Sequence, residues 1–286
     1  MPTFGSHHFD DDELLVMAII NRTPDSFYDR GATYAHDAAL DRVAEVVGQG
    51  AQIVDIGGVK AGPGQTVDPQ EEKRRVLSFV AEVASRHPEV VISVDTWRAD
   101  VGAAACAEGA TLLNDAWGAH DPQLAEVAAA NQVGLVCTHA GGLTPRTRPH
   151  RVQYPDVMQA ILDDVLQQAQ RAVDLGVNRD AILIDPGHDF GKNTRHSLEA
   201  TRRLPEMVAT GWPVLVSLSN KDFIGETLDR PVGERLAGTL AATAVSAWLG
   251  ARVFRVHEVK ETFDVLHTVQ AIAGTRQPAV NRRGLA

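Results

Sequence analysis

A single-domain α/β fold of the (β/α)8 TIM-barrel class is what this chain of 286 residues predicts, from three observations. Eight short runs rich in Val, Ile and Leu recur along it: LLVMAII, QIVDIGG, VVISVDT, TLLNDAW, GLVCTHA, AILIDPG, PVLVSLS and VFRVHEV. They lack strict apolar-polar alternation, the pattern of parallel strands buried on both faces. Amphipathic stretches of helical period, such as AALDRVAEVVGQG and QEEKRRVLSFVAEVASR, lie between them. The runs also end in polar or ionisable residues: Asn21, Asp55, Asp95, Asn114, His139, Asp185, Lys221 and His257. Eight strand-helix units in this length fit a closed barrel better than an open sheet, and in a barrel such positions converge on the rim where active sites form. A single strand-end Asp or Asn can simply cap a helix or tie down a turn, but that explanation is weaker for all of them together.

The remaining elements follow in order. MPTFGSHHFDDDE has neither the basic start nor the apolar stretch of a signal peptide and is expected as a flexible N-terminal tail over 1–13, with His7 and His8 solvated. The barrel is expected over 14–275 and a C-terminal tail over 276–286. Strand-to-helix connections at 22–34, 59–68 and 141–155 are long enough to form lids or ligand walls. DIGGVKAGPG at 55–64 is glycine-rich, but it lacks the GK[ST] ending of a phosphate-binding P-loop.

Composition narrows the partners. The chain carries 37 acidic against 27 basic residues, a net charge of −10, which argues against nucleic acid or an anionic membrane as a bulk electrostatic partner. An anionic ligand therefore needs a local basic site. The two cysteines, Cys106 and Cys137, have no CxxC spacing and fit a reducing, cytoplasmic location. No run approaches the length of a membrane-spanning helix.

NRTPDSFYDRG, DIGG with PG, SVDT, LLNDAWG, DPGHDFGK, SNKDFIG and RVHEVKET occur in this order between about Met17 and His267. Together they closely resemble dihydropteroate synthase. The resemblance implies a homodimeric barrel that joins 4-aminobenzoate to 6-hydroxymethyl-7,8-dihydropterin pyrophosphate, releasing pyrophosphate. It places Asp95, Asn114, Asp185 and Lys221 in a buried pterin slot, with Asp95 and Lys221 in catalytic positions. It assigns Asn21, Arg255 and His257 to pyrophosphate, and Asn21 to Mg2+, a cation that takes oxygen ligands and phosphates together. A structural ion pair is the alternative role for Arg255 and His257.

The chain departs from the family in its second loop. Where the family reads Glu-Ser-Thr-Arg-Pro-Gly, this chain reads Val59, Lys60, Ala61, Gly62, Pro63 and Gly64. The threonine beside aminobenzoate is replaced by Ala61 and the arginine that meets the anion by Gly62. Asn220 replaces a further arginine, and Thr138 and Ala140 stand where the family more often has methionines. A charge-assisted hydrogen bond contributes about 1.5–3 kcal/mol. Two uncompensated losses therefore cost on the order of a hundredfold to ten-thousandfold. The leading expectation is a diverged, inactive or very weak homologue that keeps a pterin pocket. The alternatives are a working synthase in which Arg22, Arg30 or Lys60 compensates, a non-catalytic pterin-binding module, and a pterin-dependent methyltransferase sharing the barrel. A catalytic pair of His188 and Asp189 is disfavoured because no nucleophile is identifiable beside it.

Overall fold

The computed structural model describes residues 2–23, 36–148 and 150–284. The expected flexible tail over 1–13 requires correction, because β1 (Thr3–Phe4) and β2 (His7–His8) pair as an antiparallel hairpin. Gly5 makes the turn at φ +58°, where a Cβ would also lie 2.9 Å from Thr111 Cγ2. Phe4 is fully buried with Leu15, Met17, Ile53, Val91 and Leu112, and closes the barrel floor. His7 is correspondingly engaged, its Nε2 3.2 Å from the Pro88 carbonyl. Phe4 and Phe9, set in an otherwise polar segment, carry no periodic signal, so only the fold discloses this plug.

The barrel strands are β3 (Leu15–Asn21), β4 (Ile53–Gly57), β5 (Val91–Asp95), β6 (Leu112–Asp115), β7 (Gly134–Thr138), β8 (Ile182–Asp185), β9 (Leu215–Val216) and β10 (Val253–Val256). All are parallel, in the order β8-β7-β6-β5-β4-β3-β10-β9. A bridge between Ile184 and Val214 brings the two edges together, so the expected (β/α)8 TIM barrel is the fold.

Among the described residues ten α-helices surround it: α1 (His36–Gly48), α2 (Pro69–Arg86), α3 (Ala99–Ala107), α4 (Gln123–Asn131), α5 (Val157–Leu175), α6 (Thr194–Arg202), α7 (Leu204–Val208), α8 (Asp222–Leu228), α9 (Leu236–Trp248) and α10 (Val259–Ala273). Starts and stops follow the local sequence. Asp68 caps α2 by accepting the Glu71 N–H at 2.8 Å ahead of Pro69, while Gly176 ends α5 in the left-handed region.

Alternation within the strands explains where the site lies. Val16, Ala18, Ile20, Val54 and Ile56 face the helices and build the larger core, whereas Leu15, Met17, Ile53, Val91 and Leu112 fill the barrel's lower interior. Two residues further along the inward rows of β4 and β5 the apolar layer ends. Asp55 and Ser93 are the polar layer above Ile53 and Val91, both fully buried.

Candidate functional site

A cavity of about 630 Å3 opens at the C-terminal ends of the strands, within the range of small-molecule sites. Asn21, Asp95, Asn114, Asp185, Lys221, Arg255 and His257 all line it, as do the altered positions Ala61, Gly62 and Asn220. Asp55 and His139 do not, although both end apolar runs. Asp55 lies one layer below, accepting Ser93 Oγ at 2.6 Å on Oδ1 and Asn114 Nδ2 at 3.2 Å on Oδ2. His139 turns its Nδ1 toward Lys192 Nζ, 2.6 Å away.

Arg255 links the polar layer to the cavity. Its Nε donates to Asp55 Oδ2 at 2.6 Å and its Nη2 to Asp95 Oδ2 at 2.7 Å. The guanidinium is thus an ion-pair partner of two carboxylates as well as a cavity wall. Burial pushes Asp95 up to about 7, with Arg255 opposing and the charge of Asp55 reinforcing the rise. A carboxyl poised there can accept a proton or a hydrogen bond from a flat heterocycle at neutral pH. Asp185 is raised by burial against the opposing charge of Lys221, and its Oδ1 accepts the Gly187 N–H at 2.7 Å.

Lys221 closes one side. Its Nζ donates to the His188 carbonyl at 2.5 Å and lies 4.5 Å from the centre of the Phe190 ring. Burial lowers its pKa, against the raising influence of Asp189 and Asp185. Phe190 meets Trp117 edge-on at 4.9 Å, and both rings line the cavity with Ala116 and Ile19. This apolar wall was missed by motif reading; the aromatic in DPGHDFGK and the Trp in LLNDAWG were its only signals. Among the described residues, the hydroxyls of Thr23 and Thr138 are buried without a hydrogen-bond partner, and both residues line the cavity. Such groups suit a polar ligand, since leaving them unsatisfied is costly.

His188 and Asp189 do not pair. The His188 ring stacks at 5.4 Å on Phe223 and places Nε2 2.9 Å from Thr201 Oγ1. Asp189 accepts the Asp222 N–H at 2.7 Å and thereby receives the start of α8. Sequence reading also passed over Lys192, whose Nζ reaches His139 Nδ1 and the carbonyls of His139, Gly187 and Phe190. Burial brings Lys192 down to about 7.

In the turn between β9 and α8, Asn220 takes a left-handed conformation, φ +58°, and its Nδ2 donates to Glu258 Oε1 at 2.8 Å. Ser219 Oγ donates to Glu258 Oε2 at 3.0 Å and sits 2.8 Å from His257 Nδ1. Because the serine's one proton goes to Glu258, the imidazole Nδ1 acts as the donor to the serine oxygen.

The altered second loop is tightly braced. Arg75 donates to the Gly58 carbonyl at 3.0 Å, Arg98 to Val67 at 2.7 Å, and Arg146 to Gly62 at 3.3 Å and also to Gln65. Val59 and Val67 pack with Trp97, Trp117, Leu143 and Phe190. Lys60 lines the cavity, whereas Arg22 stacks its guanidinium 4.7 Å over Phe79 and does not line it. Arg22 as an anion ligand is therefore not supported, since its charge is drawn to an aromatic face under the rim. Arg30 and the Pro24–Phe27 part of TPDSF lie outside the described residues.

Residues 17–257 match the family model described as pterin binding enzyme. Dihydropteroate synthase of Bacillus subtilis is 39% identical over 252 residues, covering 87% of this chain and 85% of that protein. The chain belongs to the dihydropteroate synthase family. Within that family, a Mycobacterium leprae protein named inactive dihydropteroate synthase 2 is 55% identical over 279 residues, covering 96% of each chain. Among solved structures, Yersinia pestis dihydropteroate synthase with a sulfonamide drug complex superposes with TM-score 0.90 at 33% identity, covering 96% of this chain and 99% of that one. The Xanthomonas albilineans synthase with 4-aminobenzoic acid gives TM-score 0.83 at 34% identity, covering 95% of each chain. Among the described residues no helix is long and apolar enough to cross a membrane.

Proposed function

We propose that this chain is a dihydropteroate synthase homologue that binds a pterin but forms little or no dihydropteroate. One observation carries the reading: a single cavity is lined by the pterin-slot residues Asp95, Asn114, Asp185 and Lys221 and also by Ala61, Gly62 and Asn220, where the family carries contacts to aminobenzoate and the anion. The ring edge of a pterin matches the acceptors and amide of Asp185 and Asn114, and the wall of Phe190 and Trp117 suits its flat face. Asn220 spends its amide on Glu258, and Gly62 offers no side chain at all. The Mycobacterium leprae relative is itself named inactive, which supports the same reading.

Asn21, Arg255 and His257 remain as the pyrophosphate side of the pocket. Among the described residues no group of three His, Cys, Asp or Glu side chains is arranged to hold a metal. One amide oxygen from Asn21 fits a Mg2+ that arrives with phosphate oxygens and water, where it would neutralise charge on the leaving pyrophosphate. Assembly as a homodimer belongs to the same proposal, supported by the exposed Val245 and Trp248 on α9. Purified protein given 4-aminobenzoate, the pterin pyrophosphate and Mg2+ is expected to show saturable pterin binding by calorimetry with little or no dihydropteroate by chromatography. Turnover at ordinary synthase rates, or no binding of any pterin, would refute the reading.

A further inference from the structure

The positive charge missing from the second loop reappears on a different loop. GGLTPRTRPHRV follows β7, and its Thr147, Arg148, Arg151 and Val152 line the same cavity as Lys60 to Pro63. Arg146 of the same loop donates to the Gly62 and Gln65 carbonyls, so the arginine-bearing loop and the emptied loop are joined across 84 positions of sequence. Leu143 packs with Val59 and Phe190, and Tyr154 Oη donates to the Gly191 carbonyl at 2.7 Å, fixing both ends of the segment. Arg146 and Arg151 hold φ of +65° and +47°, a region seldom used by residues with a Cβ.

The charge balance at the mouth is what distinguishes these residues. Arg255 is paired with Asp55 and Asp95, and Lys192 is enclosed by His139 and carbonyls. The neighbouring acids are also engaged: Asp189 by the α8 N–H groups, Glu226 by the Thr194 hydroxyl, and Asp222 by Arg235. Among the described residues neither Arg148 nor Arg151 has a carboxylate partner, although the chain carries a net charge of −10. The cavity, at about 630 Å3, also exceeds what a two-ring heterocycle fills.

We infer that Arg148 and Arg151 form an anion-reading edge that holds the acidic end of a pterin ligand, a carboxylate or a phosphate, in place of the arginines lost at positions 62 and 220. The inference rests on the pterin reading of the deep pocket and assigns the ligand class: a pterin extended by an anionic group that reaches the mouth. Arginine suits this task because its planar fork binds either oxyanion through two parallel hydrogen bonds. Lys60, which lines the same cavity, adds a point charge without that geometry.

The test is calorimetric titration of the full chain with three probes: neutral 6-hydroxymethylpterin, its pyrophosphate ester, and pteroate, whose carboxylate stands at the far end of an aryl group. At least one acidic probe is expected to bind about tenfold or more tightly than the neutral one, an advantage that shrinks as salt rises. Arg148→Gln with Arg151→Gln should cut that advantage at least about fivefold, leaving only what Asn21, Arg255 and His257 supply, while the neutral pterin's affinity stays within about twofold because neither arginine belongs to the deep slot. Preference for pteroate identifies a carboxylate, and preference for the ester a phosphate. Equal binding of neutral and acidic probes, or an advantage undiminished by the double substitution, overturns the inference while leaving the pterin pocket standing. Failure of every probe to bind would overturn the pterin reading and this inference together.

Discussion

Restoring the lost arginines should recover part of the chemistry, and the structure says which replacement will do most. Gly62 does not lie in the left-handed region, and a Cβ built on it meets only Lys60 Cε at 3.7 Å. Gly62→Arg should therefore fit without strain, and the carbonyl of residue 62 can keep its 3.3 Å bond from Arg146. One arginine-phosphate contact contributes about 1.5–3 kcal/mol, so the gain is roughly tenfold to 150-fold in affinity or rate. Asn220→Arg is a poorer rescue. Residue 220 sits at φ +58°, where asparagine is tolerated better than arginine, and the new guanidinium would face Glu258, which now accepts Asn220 Nδ2. Strain of about 1 kcal/mol and capture by Glu258 should hold its added gain below about tenfold. The assay is kcat/KM for dihydropteroate formation, with the Kd of the pterin pyrophosphate as a second readout where the parent turns over too slowly to measure. A folded Gly62→Arg variant that binds neutral pterin, yet stays within about twofold of the parent in both readouts, would show that the emptied loop is not what limits this site.

Other outcomes follow from the same geometry. Asp185→Ala should weaken binding of a neutral pterin by on the order of a hundredfold, since a buried charged acceptor is lost; calorimetry showing no change would remove Asp185 from the slot. Lys192 is brought by burial from 10.5 to about 7. Between those values the unfolded chain keeps a proton that the folded chain has shed, so its contribution to stability rises with pH across the window and is a constant penalty below it. The urea midpoint of the wild type relative to Lys192→Met should therefore climb from about pH 7 to 9, and a flat difference would contradict the shift. Phe4→Ala should cost about 3 kcal/mol of unfolding free energy by leaving the barrel floor open; an unchanged denaturation curve would mean the hairpin is not a plug.

Much of the architecture was legible locally because it rests on local rules. Uninterrupted Val, Ile and Leu runs between amphipathic helices specify buried parallel strands, and polar residues at their ends place a site on one rim. All the residues placed by motif in the pterin slot and on its anion side do line one cavity. Period-two alternation also separates Ile53, Asp55 and Gly57, which face inward, from Val54 and Ile56, which face the helices.

Depth along the barrel axis and partners distant in sequence were not legible, because alternation says which face a side chain takes and not at what level it meets its neighbours. Barrel stagger pairs Arg255 with Met17 in register while its guanidinium bonds Asp55 and Asp95, which makes Asp55 a buried counterion and not a rim residue. Packing drew Arg22 onto Phe79 and His139 toward Lys192, and it set Phe190 against Trp117 as a wall that no motif announced. The resemblance, read on DIGGVKAGPG, implied which side chains the second loop lacks. Only the tertiary structure showed that Arg75, Arg98 and Arg146 hold its backbone in place and that Arg148 and Arg151 line the same cavity, since loops far apart in sequence become neighbours only when the barrel closes.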